Sequence, residues 1–225
     1  MSEIIRLENV IKMSPGGRRG INGVSLSVSK GERVAIHGAP GSGKTMLARL
    51  IAGMERPSSG KVFVLGKAMH QMDSDATAAF RSRHIGLLPR HPALMESLSV
   101  LENVTLPLAI RGIPLAQREK TAKEQLKTLG LAYTANARLS QLSALELQKA
   151  SIARALTVQP QILLLDDTAA DLSEKDAEQI KGILRALLKF GEYTILELLG
   201  TNSSLICSDS TLILNHGKIQ EETEQ

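Results

Sequence analysis

The sequence predicts an α/β protein with a mostly parallel sheet and a helical insert. Three observations predict it. First, Gly38-Ala39-Pro40-Gly41-Ser42-Gly43-Lys44-Thr45 fits the phosphate-binding pattern G-x-x-x-x-G-K-[ST] at every fixed position, between an apolar strand and a helix. Second, Ile162-Leu163-Leu164-Leu165 is a continuous apolar run ending in Asp166-Asp167, as a strand buried on both faces of a parallel sheet reads. Third, from residue 99 to 156 strand signals almost vanish and helical periodicity takes over.

The elements follow in order. Residues 4–10 and 24–28 alternate apolar and polar side chains and read as strands, the second closed by the turn Ser29-Lys30-Gly31. Residues 33–37 form the strand into the glycine loop, and 46–52 the helix out of it, ending near Gly53. The turn Pro57-Ser58-Ser59-Gly60 sets off a strand at 61–65. A polar, Ala-rich helix covers 74–83, and a brief strand 85–88. Ser99-Val100-Leu101-Glu102 and Ser143-Ala144-Leu145-Glu146 are capping boxes that each open a helix, the second running to about residue 158. Between them, 115–129 is an amphipathic helix stopped by Gly130. After Pro160 come a strand at 162–165, a long helix at 174–189 stopped by Gly191, and the last strands at 194–199 and 211–214. The chain has no internal repeat and no low-complexity segment.

Composition narrows the function classes. The 225 residues suit one α/β domain or a domain with a subdomain. They are 43% hydrophobic and 22% charged, as in a globular protein. The single cysteine, Cys207, excludes an internal disulfide and points to a reducing cytosol. Residues 1–6 lack a basic region before an apolar core, so no secretory leader is expected. No apolar run reaches the ~18 residues of a membrane span, so contact with a membrane is expected only through a partner or at its surface. The net charge of +4 is scattered, and its densest piece, Arg18-Arg19, sits in a Gly/Pro-rich loop at 15–20. With aromatics at 2%, this argues against nucleic acid as a partner.

Two motifs carry chemistry. The glycines let the backbone wrap phosphates with its N–H groups inward, and the helix N-terminus adds partial positive charge there. Lys44 would reach the β- and γ-phosphates, and the Thr45 hydroxyl would ligate Mg²⁺. Asp166, at the carboxyl end of its strand, would hold Mg²⁺ directly or through water. Asp167 would stand beside the γ-phosphate, where a carboxylate orients or deprotonates the attacking water.

Two nucleotide elements flanking a helical insert resemble the ATP-binding subunit of ABC transporters over essentially the whole chain. The likeness includes Gly31-Glu32, Ser59-Gly60, Ile152-Ala153-Arg154-Ala155-Leu156 followed by Pro160, and Gly217-Lys218-Ile219. Leu101-Glu102-Asn103-Val104 and Leu106-Pro107-Leu108 look like the subgroup that serves lipoprotein release, macrolide efflux and a cell-division complex. The resemblance implies a P-loop NTPase fold with an N-terminal antiparallel β subdomain and an inserted helical subdomain. It places a RecA-like core at 1–88 and 157–225 and the helical subdomain at 89–156. ATP would be cradled by Gly38, Ala39, Pro40, Gly41, Ser42, Gly43, Lys44, Thr45 and Met46, with Lys44 and Asp167 catalytic. In that family two subunits sandwich two ATP molecules and drive a membrane permease, so a homodimer or heterodimer is implied on the cytoplasmic face of the membrane. The permease would dock around residues 90–96 and the following helix.

The departures from the pattern bear on rate. The signature L-S-G-G-[QE] reads Leu142-Ser143-Ala144-Leu145-Glu146, without either glycine, so Ser143 serves either the partner's nucleotide or only a helix cap. Asp167 stands where the family has a catalytic Glu, one methylene shorter. Arg90 stands where a magnesium-sensing Gln is usual, Gly200 at the switch-His position with no His following until His216, and Ser173 for an Asp. Met13 aligns with the aromatic that stacks on adenine, and thioether packing there is looser. The phosphate grip is kept and the hydrolytic parts are altered, so slow or impaired hydrolysis is expected. The alternative is an inactive ATP-binding subunit paired with a competent homologue.

Overall fold

A computed structural model describes residues 2–13, 19–189, 191–201, 203, 206 and 208–221, so Arg18 and Cys207 lie outside the described residues. The chain opens with β1 (Glu3–Met13) and β2 (Arg19–Ser29), then β3 (Arg33–His37) and α1 (Lys44–Ile51). Next come β4 (Ser59–Val64), β5 (Lys67–Ala68), α2 (Ser74–His84) and β6 (Ile85–Leu88). The insert carries α3 (Val100–Ile110), α4 (Leu115–Thr128) and α5 (Ala144–Leu156). The chain then returns through β7 (Ile162–Asp166), α6 (Glu174–Leu188), β8 (Thr194–Leu199), β9 (Ser210–Asn215) and β10 (Lys218–Glu221).

Two sheets result. One is antiparallel in the order β2-β1-β4-β5, and the other runs β10-β9-β3-β8-β7-β6 with every pair parallel except β9 with β10. The mostly parallel α/β core with an antiparallel sheet and inserted helices is thus as expected. Three details differ. β1 and β2 are longer than their alternation suggests, because the pairing slips between Leu7 and Val10, where Asn9 has φ 46°. A bulge of this kind inserts a residue and reverses the phase of the alternation. β5, two residues long, is too short to leave a periodic signal. The strand at 211–214 is not the last: β10 folds back on β9 through His216 and Gly217, with φ 48° and 76°. Two central residues of positive φ make the turn whose twist matches a hairpin.

Each face of the parallel sheet has its own core. Ile162, Leu164, Leu196, Leu198 and Ile36 pack with α1 and the antiparallel sheet. Leu163, Leu165 and Ile195 pack with α5, α6 and the insert's Val104 and Leu126. The alternate side chains of one strand thus enter two different cores, which is why these strands read as unbroken apolar runs. Both capping boxes form as expected: Ser99 accepts from the Glu102 amide at 3.2 Å, and Ser143 from that of Glu146 at 3.3 Å. Glu197 is fully buried on β8 and accepts from the Ile206 amide and the Ser208 hydroxyl, each at 2.8 Å. No helix among the described residues is long and apolar enough to cross a membrane.

Leu164 is fully buried in the first core. Leu164→Ala is expected to lower stability by about 2–5 kcal/mol, read as a fall in the thermal unfolding midpoint of several degrees.

Candidate nucleotide-binding site

The site forms where β3, β7 and β8 end. β3 pairs with β8 up to His37 opposite Leu199, and β7 with β8 up to Asp166 opposite Leu198. The chain leaves β3 into loop 38–43 and re-enters a helix at Lys44. Gly43 has φ 112°, and a Cβ there would lie 2.3 Å from the Gly20 carbonyl, so only glycine fits. Gly38 is equally confined: a Cβ would meet Ser42 Oγ at 2.5 Å and the Leu214 carbonyl at 2.6 Å. The loop is fixed at its far end too, since the Gly217 amide donates to the Ser42 carbonyl at 3.0 Å and the Asn22 amide to that of Gly217 at 2.8 Å.

A cavity of about 360 Å³ opens over this loop. Pro40, Gly41, Gly43, Lys44, Thr45 and Met46 of the loop and helix line it, together with Gly20, Asp166, Asp167, Gly200 and Arg90. The Lys44 ammonium donates to the carbonyls of Gly38 at 2.5 Å and Ala39 at 3.1 Å. Burial pulls the pKa of Lys44 down, against the opposing pull of Asp167 and Asp166. Asp166 is buried, and this pushes its carboxyl up; the hydrogen bond from Thr45 works against the shift and the charge of Asp167 adds to it. Asp167 has φ 50°, a strained value held by its amide's bond to the Leu198 carbonyl at 2.8 Å. Its Oδ1 accepts from the Ser203 hydroxyl at 3.1 Å. A hydroxyl and a buried carboxylate, already hydrogen-bonded to each other, are hard oxygen donors of the kind Mg²⁺ takes.

Some expected residues stand elsewhere. Gly38 and Ala39 face a second cavity of about 470 Å³ behind the loop, with His37, Thr211 and Leu214. That cavity is larger but carries no cation–carboxylate set, so the chemistry favours the first. Ser42 is buried beneath the loop. Met13 ends β1 at 41% exposure and is not in the cavity wall. Ser143 likewise lies outside that wall: its hydroxyl donates to Glu146 Oε2 at 2.7 Å, closing the cap. Tyr133 donates to Glu146 Oε1 at 2.5 Å, and the three donors, Tyr133 foremost, hold the Glu146 carboxyl down at about 2. Gly200, expected near the switch-His position, carries no imidazole of its own. The fold nonetheless brings His37 to it, Nδ1 donating to the Gly200 carbonyl at 3.1 Å. Sequence reasoning missed Ser203, His37 and Asp171, the last of which pairs with Arg90.

This arrangement defines a P-loop nucleotide-binding protein. Within that class the chain belongs to the ABC transporter family, whose model matches residues 21–170. It is 31% identical over 216 residues to the lipoprotein-releasing system ATP-binding protein of Chromohalobacter salexigens, covering 96% of this chain and 91% of that one. It is 35% identical over 221 residues to the methionine import ATP-binding protein of Brucella suis, covering 97% of this chain but only 59% of that relative's length. Among solved structures it resembles a dimeric bacterial ABC transporter cassette, with TM-score 0.88 and 29% identity over 96% of this chain and 97% of the other. It also resembles a post-hydrolysis dimer of an ATP-binding cassette bound to ADP and Pi, with TM-score 0.87 and 29% identity, covering 98% of each chain.

Two expectations follow. The folded Asp166 carboxyl has a raised pKa, so its ionisation opposes folding as pH rises from the unfolded value of about 3.9 through the folded one. Asp166→Asn is therefore expected to be more stable than wild type at pH 7, with the gain vanishing toward pH 4 in thermal melts. Tyr133→Phe removes the largest restraint on Glu146, and the carboxyl titration followed by NMR should move up from about 2 toward the ordinary glutamate range.

Proposed function

We propose that this chain is the ATP-binding subunit of an ABC transporter, which binds Mg-ATP and couples closure of a subunit pair to a membrane permease, with slow hydrolysis. The observation that carries this reading is the convergence of Lys44, Thr45, Asp166 and Asp167 on one cavity over the glycine loop. Residues 38–46 wrap the phosphates, and Lys44 supplies positive charge at their distal end. Thr45 and Asp166 hold Mg²⁺, which neutralises phosphate charge when bound. Asp167, steadied by Ser203, orients the attacking water. Its shorter reach, and the lack of an imidazole at Gly200, support a low rate.

The partners follow from the same reading. A second subunit, identical or homologous, faces the cavity and brings the helix start at Ser143. The core at 1–88 and 157–225 carries the nucleotide, and the helical subdomain at 89–156 carries the signal to the permease. The permease segment docks around residues 90–96 and α3, a surface that adjoins a groove of about 360 Å³ lined by Met54, Leu87, Ala93, Leu106 and Ile110. Half-exposed Met54 and exposed Ile110 give it an apolar rim. The subunit is then cytoplasmic, peripheral on the membrane through the permease.

Steady-state Mg-ATP turnover, with Lys44→Ala as the blank, tests this. Wild type is expected to turn over slowly but above the blank, and Asp167→Asn to lose up to about 10²-fold. Turnover equal to the blank, with ATP still bound, would assign the chain to the inactive class that pairs with a competent homologue. Failure to bind ATP would overturn the reading.

A further inference from the structure

Arg90 stands just beyond β6, and Asp171 lies between β7 and α6, 81 residues later. The guanidinium meets that carboxylate edge-on. Nε donates to Oδ1 at 2.8 Å and to Oδ2 at 2.9 Å, and Nη2 donates to Oδ1. His91 Nδ1 lies 3.0 Å from Oδ2 of the same carboxylate. A guanidinium is a planar fork with five N–H donors. Asp171 engages the edge formed by Nε and Nη2, so Nη1 lies on the opposite edge.

Arg90 also lines the cavity that holds Lys44, Thr45, Asp166, Asp167 and Gly200. Its charge and that of Lys44 are close enough to oppose each other, and both aspartates act on it. The wall therefore carries two cations against two carboxylates, before the charges of a triphosphate are counted. A planar fork tied along one edge is well suited to present the other to phosphate oxygens. A lysine or a loose arginine would lose side-chain entropy on making the same contact. Arg90 lines the same cavity as Asp167, the carboxylate read as standing beside the distal phosphate.

We propose that Arg90 engages the terminal phosphate of the bound nucleotide, and that Asp171 is the positioning residue that orients it. This deepens the nucleotide reading and rests on it. Arg90 then distinguishes nucleoside triphosphate from diphosphate, a task for which Lys44 alone is less selective because it also reaches the β-phosphate.

Calorimetric titration of the full chain with Mg-ATP and, separately, Mg-ADP tests the assignment. Arg90→Ala is expected to weaken ATP binding about tenfold and ADP binding less than about twofold. Arg90→Lys, which keeps the charge without the fork, should recover part of the lost preference. Asp171→Asn should lower the ATP-over-ADP preference about threefold, and have no further effect in the Arg90→Ala background. Equal weakening of both nucleotides, or none, overturns the proposal and leaves the pair as a tie between loops. A wild-type chain that binds neither nucleotide better than Lys44→Ala overturns the nucleotide reading with it. Should Arg90→Ala fail to fold, the Arg90→Lys and Asp171→Asn titrations decide the matter on the same ratio.

Discussion

The parallel register of three neighbouring strands is the constraint on which this molecule depends. β3, β8 and β7 run the same way, so their carboxyl ends surface together, and so do the loops that follow them. Two backbone bonds fix that alignment at the rim: Gly38 donates to Leu199 at 3.0 Å and Asp167 to Leu198 at 2.8 Å. A slip of one residue would turn each strand's side chains to the opposite face, exchanging the contents of two well-filled cores. The register is therefore secured by apolar packing far from the phosphate loop, and the loop inherits its precision.

The same rim is where the fold departs from its own stability rules. Asp166 is a carboxylate with little access to water, and Asp167 holds a backbone conformation that residues with a Cβ avoid. Both features persist because the strands beneath over-determine them. Behind the rim, the buried Glu197 carboxylate gathers the Ile206 amide and the Ser208 hydroxyl. It ties the segment after Gly200 back to the sheet, and Ser203, which touches Asp167, belongs to that segment. A polar group in the core here organises a loop whose sequence has few apolar anchors.

What could be read in advance was chemistry written in consecutive residues. The glycine loop, the acidic strand end and the two capping boxes each lie within a few positions, so pattern alone located them. What could not be read depended on pairing across the fold. The Arg90–Asp171 pair spans 81 residues, the His37 contact with Gly200 spans 163, and neither side chain signals its partner. β1 was read short because a bulge at Asn9 breaks its alternation. β10 was missed because its turn uses His216-Gly217 instead of the Asn-Gly or Asp-Gly that marks a tight hairpin. Met13 and Ser143 were placed at the nucleotide by resemblance, and neither is part of the cavity wall in the single chain.

The turn at His216-Gly217 sets the order in which the protein can be completed. Its amide caps the Ser42 carbonyl, and its own carbonyl takes the Asn22 amide, so the phosphate loop is propped from a point near the other end of the sequence. During synthesis the motif that grips phosphate is made early, yet its support cannot form until Gly217 has left the ribosome. A nascent chain halted before that point carries the motif without this prop. Because a ligand stabilises the form it binds, nucleotide favours the chain whose hairpin has closed over the loop's support.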